Sequence, residues 1–252
     1  MRSTLADRRT VVLCGALAAM GILRPTYAAR RTLTLATGGV WPLVADGGRA
    51  GFAQSVVEAA FRRLDVEIQV VSMSMERSLV NADAGIEDGD LVHGPGAEAS
   101  YPNLVRVPEK VMDFQIVGYA ARPDVQARSW SELERYSVAY ITGWKTVERN
   151  LKQVRDVTVA RDMEQLVQLL ANGRADVVVV SRWQGLQRPA SSMGVTVRRL
   201  DPPLGTIPLF THLHRRHRDL VAPLAAALVE LKRDGTWQRL FDQILVPEES
   251  RQ

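Results

Sequence analysis

The stretch Gly173–Gly185, GRADVVVVSRWQG, constrains the fold more than any other part of the chain. Asp176 opens a run of four valines, Val177 to Val180, which stops abruptly at Ser181, Arg182 and Trp183. A short β-branched run between turn residues reads as a strand covered on both faces, the environment of a parallel sheet flanked by helices. Ligands of open α/β sheets collect beyond the carboxyl ends of such strands. Ser181 is therefore expected at the rim of a cleft, with either Arg182 or Trp183 facing that cleft and the other packing outward.

The rest of the chain alternates strand and helix in the same manner. Strands are expected at 32–36, 66–71 and 88–93, with helices at 48–64 and 74–84 between them. Ser74 supplies a helix cap and Gly85 a left-handed stop. The extended segment 114–121 reads as a crossing into a second unit. There the order repeats, with strands at 138–141, 157–160 and 177–180 and helices starting near Lys145 and Asp162. A helix is expected over 183–192 and a strand over 195–199. Asp201-Pro202-Pro203 marks a second crossing before an extended 206–213 and amphipathic helices over 218–233 and 237–244. The two halves overlay with a shift of 88 residues, placing Glu76, Gly85, Asp88 and His93 on Glu164, Gly173, Asp176 and Ser181. The expectation is an α/β fold of two lobes, the second inserted into the first and joined to it by two crossings. Residues 29–115 and 206–252 form lobe 1, and 116–205 form lobe 2.

Residues 1–28 have the layout of a secretory signal: Arg2, Arg8 and Arg9, then an apolar Val11 to Leu23, then Thr26-Tyr27-Ala28 as a cleavage site. The pair Arg8-Arg9 leaves the general and twin-arginine export routes both open. Without the leader the charge is 28 basic against 27 acidic residues, so bulk attraction to nucleic acid is not expected. Cys14, the only cysteine, falls in the leader, preceded by bulky Leu13, which does not suit lipidation. The mature chain has no thiol for a disulfide, a nucleophile or a metal. The expected location is the periplasm, and the expected form a monomer.

Several side chains fall where a cleft would form. Trp41, after the Thr37-Gly38-Gly39 turn, is placed to stack on a flat ligand or to seal the core edge. Arg77 sits in the first turn of a helix, where a cation opposes the local dipole, beside Glu76. His93 ends a strand, as Ser181 does. Gly143-Trp144-Lys145-Thr146 follows a strand and opens a helix, bringing backbone N–H groups, a cation and a hydroxyl to one place, a pattern suited to an anionic group. Convergence of Arg77, Lys145 and Arg182 would make the cleft positive. No cofactor is expected: Gly94-Pro95-Gly96-Ala97-Glu98-Ala99 fits G-x-G-x-x-A, but Pro95 and Pro102 deny it the helix that pattern needs. His212, His214 and His217 lack a defined fourth ligand, and a basic surface at a strand-to-helix turn is expected in place of a metal site.

The chain resembles the family-3 solute-binding proteins of bacterial transporters, on Arg77 before Gly85-x-x-Asp88, Tyr101-Pro102-Asn103-Leu104, Gly143-Trp144-Lys145, Gly173-x-x-Asp176 and Leu231-Lys232-x-Asp234-Gly235-Thr236. The resemblance implies a type II periplasmic-binding-protein architecture, in which two lobes close over a small solute and present it to an ABC transporter permease. It also exposes two departures. Amino-acid-binding members carry an acid where Ser181 stands and an arginine after the first-lobe Asp, and Gly94 to Tyr101 contains none. The solute expected is a small carboxylate or other anion in place of a zwitterion. Two other functions remain open at this level: a dehydratase- or lyase-like enzyme using His93 and Glu76, and a sensory module for a membrane receptor.

Overall fold

The computed structural model describes residues 31–246, without the side chains of Gln187 and Arg188. The expected leader, with Cys14 and the Arg8-Arg9 pair, lies outside the described residues. In chain order the elements are β1 (Arg31–Thr37), α1 (Phe52–Arg62), β2 (Val66–Ser72), α2 (Met75–Asp83), β3 (Gly89–His93), β4 (Leu104–Arg106), β5 (Met112–Ala120), β6 (Val138–Ile141), α3 (Lys145–Asn150), β7 (Val157–Ala160), α4 (Met163–Ala171), β8 (Val177–Ser181), α5 (Gln187–Ser192), β9 (Arg198–His214), α6 (Arg218–Arg233) and α7 (Thr236–Ile244).

The strands run β2-β1-β3-β9-β5-β8-β6-β7, with β4 on β9. β1 pairs in parallel with β2 and β3, and β6 in parallel with β7 and β8. The long antiparallel pair β5·β9 joins these two parallel groups, running from Met112↔Leu209 to Ala120↔Arg198 with a register shift between Ile116 and Gly118. This is the expected two-lobe α/β fold with two crossings. The second crossing differs from the expectation in one respect: β9 is one 17-residue strand that continues through Asp201-Pro202-Pro203. Asp201–Pro202 is cis.

The valine run behaves as its composition requires. Val177 and Val179 pack with Val138, Tyr140, Val147 and Leu151 on one face. Val178 and Val180 pack with Ala139, Leu166, Leu170 and Leu186 on the other. Each buried valine contributes about 1.5–3 kcal/mol, so a strand covered on both sides needs no polar alternation. The first lobe places Leu33, Leu35 and Leu91 against Phe52, Val56 and Ala60 of α1 and Leu224, Leu228 and Leu231 of α6.

Two helices depart from the periodicity reading. Helix α1 starts at Phe52 and not near residue 48, because Gly47 and Gly48 both have positive φ and Gly51 is the extended N-cap. The helix expected over 183–192 is broken: a 3-10 turn at Arg182–Gln184 ends on left-handed Gly185, and α5 begins at Gln187.

Candidate functional site

The carboxyl ends of β3 and β6 meet on the two crossing strands. Phe114 of β5 and Ile207 of β9 are register partners in an antiparallel pair and so share a face. Trp144, just beyond β6, lies against Phe114 with ring centroids 5.9 Å apart. From the other lobe, Gly94 follows His93 at the end of β3, and a Cβ at Gly94 would stand 3.3 Å from Ile207 Cγ2. His93 itself is the register partner of Phe210. The chain of contacts Gly94–Ile207–Phe114–Trp144 thus links the two lobes across a common floor. Phe114 and Ile207 carry no charge, and sequence periodicity alone did not single them out.

His93 is half-buried, and its ring lies 6.4 Å from that of His212. Burial, reinforced by His212, pushes its imidazole down to about 4, so it is neutral at pH 7 and offers one donor and one acceptor. His212 is 0 % exposed and faces Glu98 at 3.4 Å, while Arg106 approaches Glu98 at 3.5 Å and sits over the Phe210 ring at 4.9 Å. The Glu98 carboxyl is held below its ordinary range. Burial would raise it, but its own backbone N–H, His212 and Arg106 outweigh that.

Beneath α2, Asp90 is 1 % exposed and accepts from Ser78 Oγ at 2.7 Å. Burial pushes its carboxyl up to about 7 against the bonds from Ser78 and the Val92 backbone. His212 is its register partner across β9. None of this pattern was visible as a motif; its only sequence trace is an acid and a histidine at inward-facing positions of two strands.

The other expected residues fall in varied surroundings. Trp41 is half-buried, joined to Pro42 by a cis bond, and the Arg49 guanidinium lies 4.1 Å over its ring. Glu76 and Arg77 are exposed in the first turn of α2, where the Arg77 backbone N–H donates to Ser74 Oγ. Gly143 has φ +91°, which turns the chain into α3, and only glycine adopts this without strain. Lys145 is 84 % exposed and pairs with Glu148 at 3.6 Å. Thr146 is half-buried, and its carbonyl accepts from Asn150 Nδ2 at 2.7 Å.

Ser181 is 1 % exposed, and its Oγ accepts from the Trp183 backbone N–H at 3.2 Å, capping the 3-10 turn together with Gln184. Arg182 and Trp183 do not split between cleft and exterior as expected. Both line one pocket with Gln115, and Arg182 donates to Gln115 Oε1 at 2.7 Å. That pocket includes neither Arg77 nor Lys145, so the expected convergence of three cations is not found in it.

The histidines at 212, 214 and 217 do not form the expected basic surface. His212 is buried, His214 Nδ1 accepts from the Arg216 backbone N–H at 3.2 Å, and His217 is buried with its Nε2 2.5 Å from Asp88 Oδ1. Alternation along β9 and the turn after it send them to different environments. Among the described residues no group of three or more His, Cys, Asp or Glu is arranged to hold a metal ion. Among the same residues no helix is long and apolar enough to cross a membrane.

Comparison with known proteins supports the architecture. No protein-family model matches the chain. An uncharacterised protein of Shewanella oneidensis is 26% identical over 177 residues, 65% of this chain and 66% of that protein; the match thus spans just under two thirds of the relative's length. Among solved structures, the GluR0 ligand-binding core in complex with L-glutamate is similar with a TM-score of 0.71 at 14% identity, covering 86% of this chain and 99% of that one. A probable amino-acid ABC transporter extracellular-binding protein, ytmK of Bacillus subtilis, gives 0.68 at 15% identity over 85% and 97%. A histidine kinase sensor domain with similarity to periplasmic binding proteins gives 0.66 at 15% identity over 86% and 97%. The chain has the two-lobe type II periplasmic-binding-protein fold.

Proposed function

We propose that the protein is an exported solute-binding protein that holds a small polar anion between its lobes and delivers it to an ABC permease. The observation that carries this reading is the Gly94–Ile207–Phe114–Trp144 contact chain, which brings the strand ends of both lobes to one floor. A solute resting there touches lobe 1 through His93 and Gly94 and lobe 2 through Gly143 and Trp144. It thereby favours the closed arrangement over the open one by its differential contacts. Trp41, Glu76, Arg77, Lys145 and Thr146 form the rim in this reading. The crossings bound the lobes near residues 115 and 206, and the molecule acts as a monomer in the periplasm without a cofactor.

The anionic preference has two supports. The tip of β8 offers a capped, buried serine hydroxyl and no carboxylate to meet an ammonium group. His93, neutral at pH 7, can donate its one ring N–H to a carboxylate and brings no negative charge of its own. Native mass spectrometry of the purified protein, followed by a thermal-shift panel of organic acids, amino acids and amines, tests the reading. Stabilisation by deaminated acids is expected; a panel in which only zwitterionic amino acids stabilise would overturn the anionic preference.

The likeness to a histidine kinase sensor domain favours a second role for the same cleft, handing the closed form to a membrane receptor. Co-purification of the solute-loaded protein with a permease, as against a sensor kinase, separates the two.

A further inference from the structure

A cavity of about 550 Å³ lies beside β5, lined in part by Asp113, Gln115, Arg182, Trp183, Trp237 and Phe241 and by neither Phe114 nor Trp144. On β5, alternation turns Asp113 and Gln115 away from the face of Phe114, while Met112, on the Phe114 face, also borders the cavity. Arg182 and Trp183 reach the cavity from the end of β8, and Trp237 and Phe241 reach it from α7, so its walls come from both lobes.

Three features of the walls define what would fit. First, they are aromatic: Trp237 stacks on Phe241 with centroids 5.2 Å apart, and Trp183 meets Phe241 edge-on at 5.4 Å. No residue of α7 is fully buried, although its aromatic face is turned to the core. Second, the Trp183 side chain is 4 % exposed, yet its indole Nε1–H has no hydrogen-bond partner among the described residues. Trp237 shows the contrast, since its Nε1–H donates to the Val111 carbonyl at 2.8 Å. An orphaned buried donor costs about 1–3 kcal/mol, which an acceptor on a bound molecule would recover. Third, Lys110, Arg182 and Lys232 supply cations against the single carboxylate of Asp113, which Lys110 already pairs at 2.6 Å. Lys232 is paired with Glu109, which is not among the lining residues.

We infer that this cavity is a second ligand site, distinct from the interlobe floor, and that it takes a small aromatic carboxylate. The ring lies among Trp183, Trp237 and Phe241, and the carboxylate accepts from Trp183 Nε1–H in the field of the lysines and Arg182.

Phenylacetate, titrated into the full chain and followed by tryptophan fluorescence and ligand-detected NMR, tests this. Saturable binding is expected, with NMR contacts from the phenyl ring to Phe241. Affinity should fall roughly tenfold or more in Trp183→Phe, which keeps a ring and removes the donor, and by a similar factor for benzyl alcohol, which lacks the charge. Trp144→Phe, outside the cavity lining, should leave the affinity unchanged. Four results overturn the inference: no saturation by about 10 mM; equal binding of benzyl alcohol; unchanged affinity in Trp183→Phe; or weakening by Trp144→Phe alone, which would put the probe on the floor beside Phe114. If Trp183→Phe does not fold, the ring contacts to Phe241 in the unsubstituted protein decide the matter, and their absence counts against the site.

Discussion

Asp88 and Asp176 make the same pair of interactions in the two lobes. Asp88 Oδ2 accepts from the Thr34 backbone N–H at 2.7 Å, and Asp176 Oδ2 accepts from the Ser137 backbone N–H at 3.0 Å. Each also meets an arginine: Arg216 lies 2.5 Å from Asp88, and Arg122 lies 3.1 Å from Asp176. Each aspartate follows a helix stopped by a left-handed glycine, Gly85 or Gly173, and precedes β3 or β8. The carboxylate satisfies a backbone donor beside the neighbouring parallel strand, fixing where the returning chain enters the sheet.

Replacing Asp88 with Asn should therefore destabilise lobe 1 by roughly 1–3 kcal/mol at pH 7, since it weakens bonds to a backbone donor, an arginine and a histidine. Although burial alone would raise it, the carboxyl is held below its ordinary 3.8 by Thr34, Arg216 and His217. The unfolded state then binds more protons between the folded value and 3.8. This stability is fully present above that range and is lost as pH falls through the folded value. Urea melts at stepped pH should show the difference between the unsubstituted protein and Asp88→Asn shrinking below pH 4. A difference constant from pH 7 to pH 3 would contradict the assignment.

His93 and Asp90 should give opposite slopes to the stability profile. The His93 imidazole is depressed to about 4, so stability is full above about 6.5 and declines as pH falls from there toward 4. Asp90 is raised to about 7, so its burial costs nothing below about 3.8, costs progressively more as pH rises to about 7, and then levels off. Asp90→Asn should accordingly be near neutral at pH 4 and stabilising at pH 8, with roughly 4 kcal/mol as the upper limit. Chemical denaturation at those two pH values checks it, and equal effects at both would show that Asp90 is ionised throughout.

The sequence made the repeated α/β order legible because parallel strands buried on both faces leave a continuous apolar run, as Val177 to Val180 does. It also carried the equivalence of Asp88 and Asp176, since the glycine stop and the acid recur at a fixed spacing. The single β9 strand was hidden because Asp201-Pro202-Pro203 has the composition of a turn, whereas its pairing with β5 is a tertiary contact. The site was less legible than the fold. Ser181 and Arg182 were singled out from their place at a strand end, but which face they serve depends on the 3-10 turn at Arg182–Gln184 and on α7 packing against it. Phe114 and Ile207 look like ordinary strand residues until register brings them together.

Gly89 illustrates a constraint that composition does not announce. A Cβ there would stand 2.2 Å from the His212 backbone carbonyl oxygen and 3.1 Å from the Leu213 Cα. Backbone atoms of the adjoining strand cannot yield as a side chain does, so β3 and β9 must separate to admit a methyl group. Gly89→Ala should cost about 1–3 kcal/mol or more and lower the thermal midpoint. The same substitution at Gly173, with nothing within 4 Å of its Cβ position, should cost only the strain of φ +62°. Comparing the two melts distinguishes crowding from loss of glycine's conformational freedom.

Trp144 offers the most direct test of the proposed cleft. Its ring is half-buried against Phe114, so part of one surface is committed to the protein and part is open. Trp144→Ala removes the lobe 2 contact while leaving β6 and its partner strands intact. The retained solute, once identified, should bind about tenfold or more weakly, because loss of an aromatic contact in a closed cleft costs more than about 1 kcal/mol. Lys145→Gln, at an exposed rim position, should weaken binding only a few-fold and should reduce its dependence on salt. Calorimetry at low and high ionic strength separates these two effects. Equal, salt-independent losses from both substitutions would argue against an anionic solute seated on Phe114 and Ile207 with Lys145 at its edge.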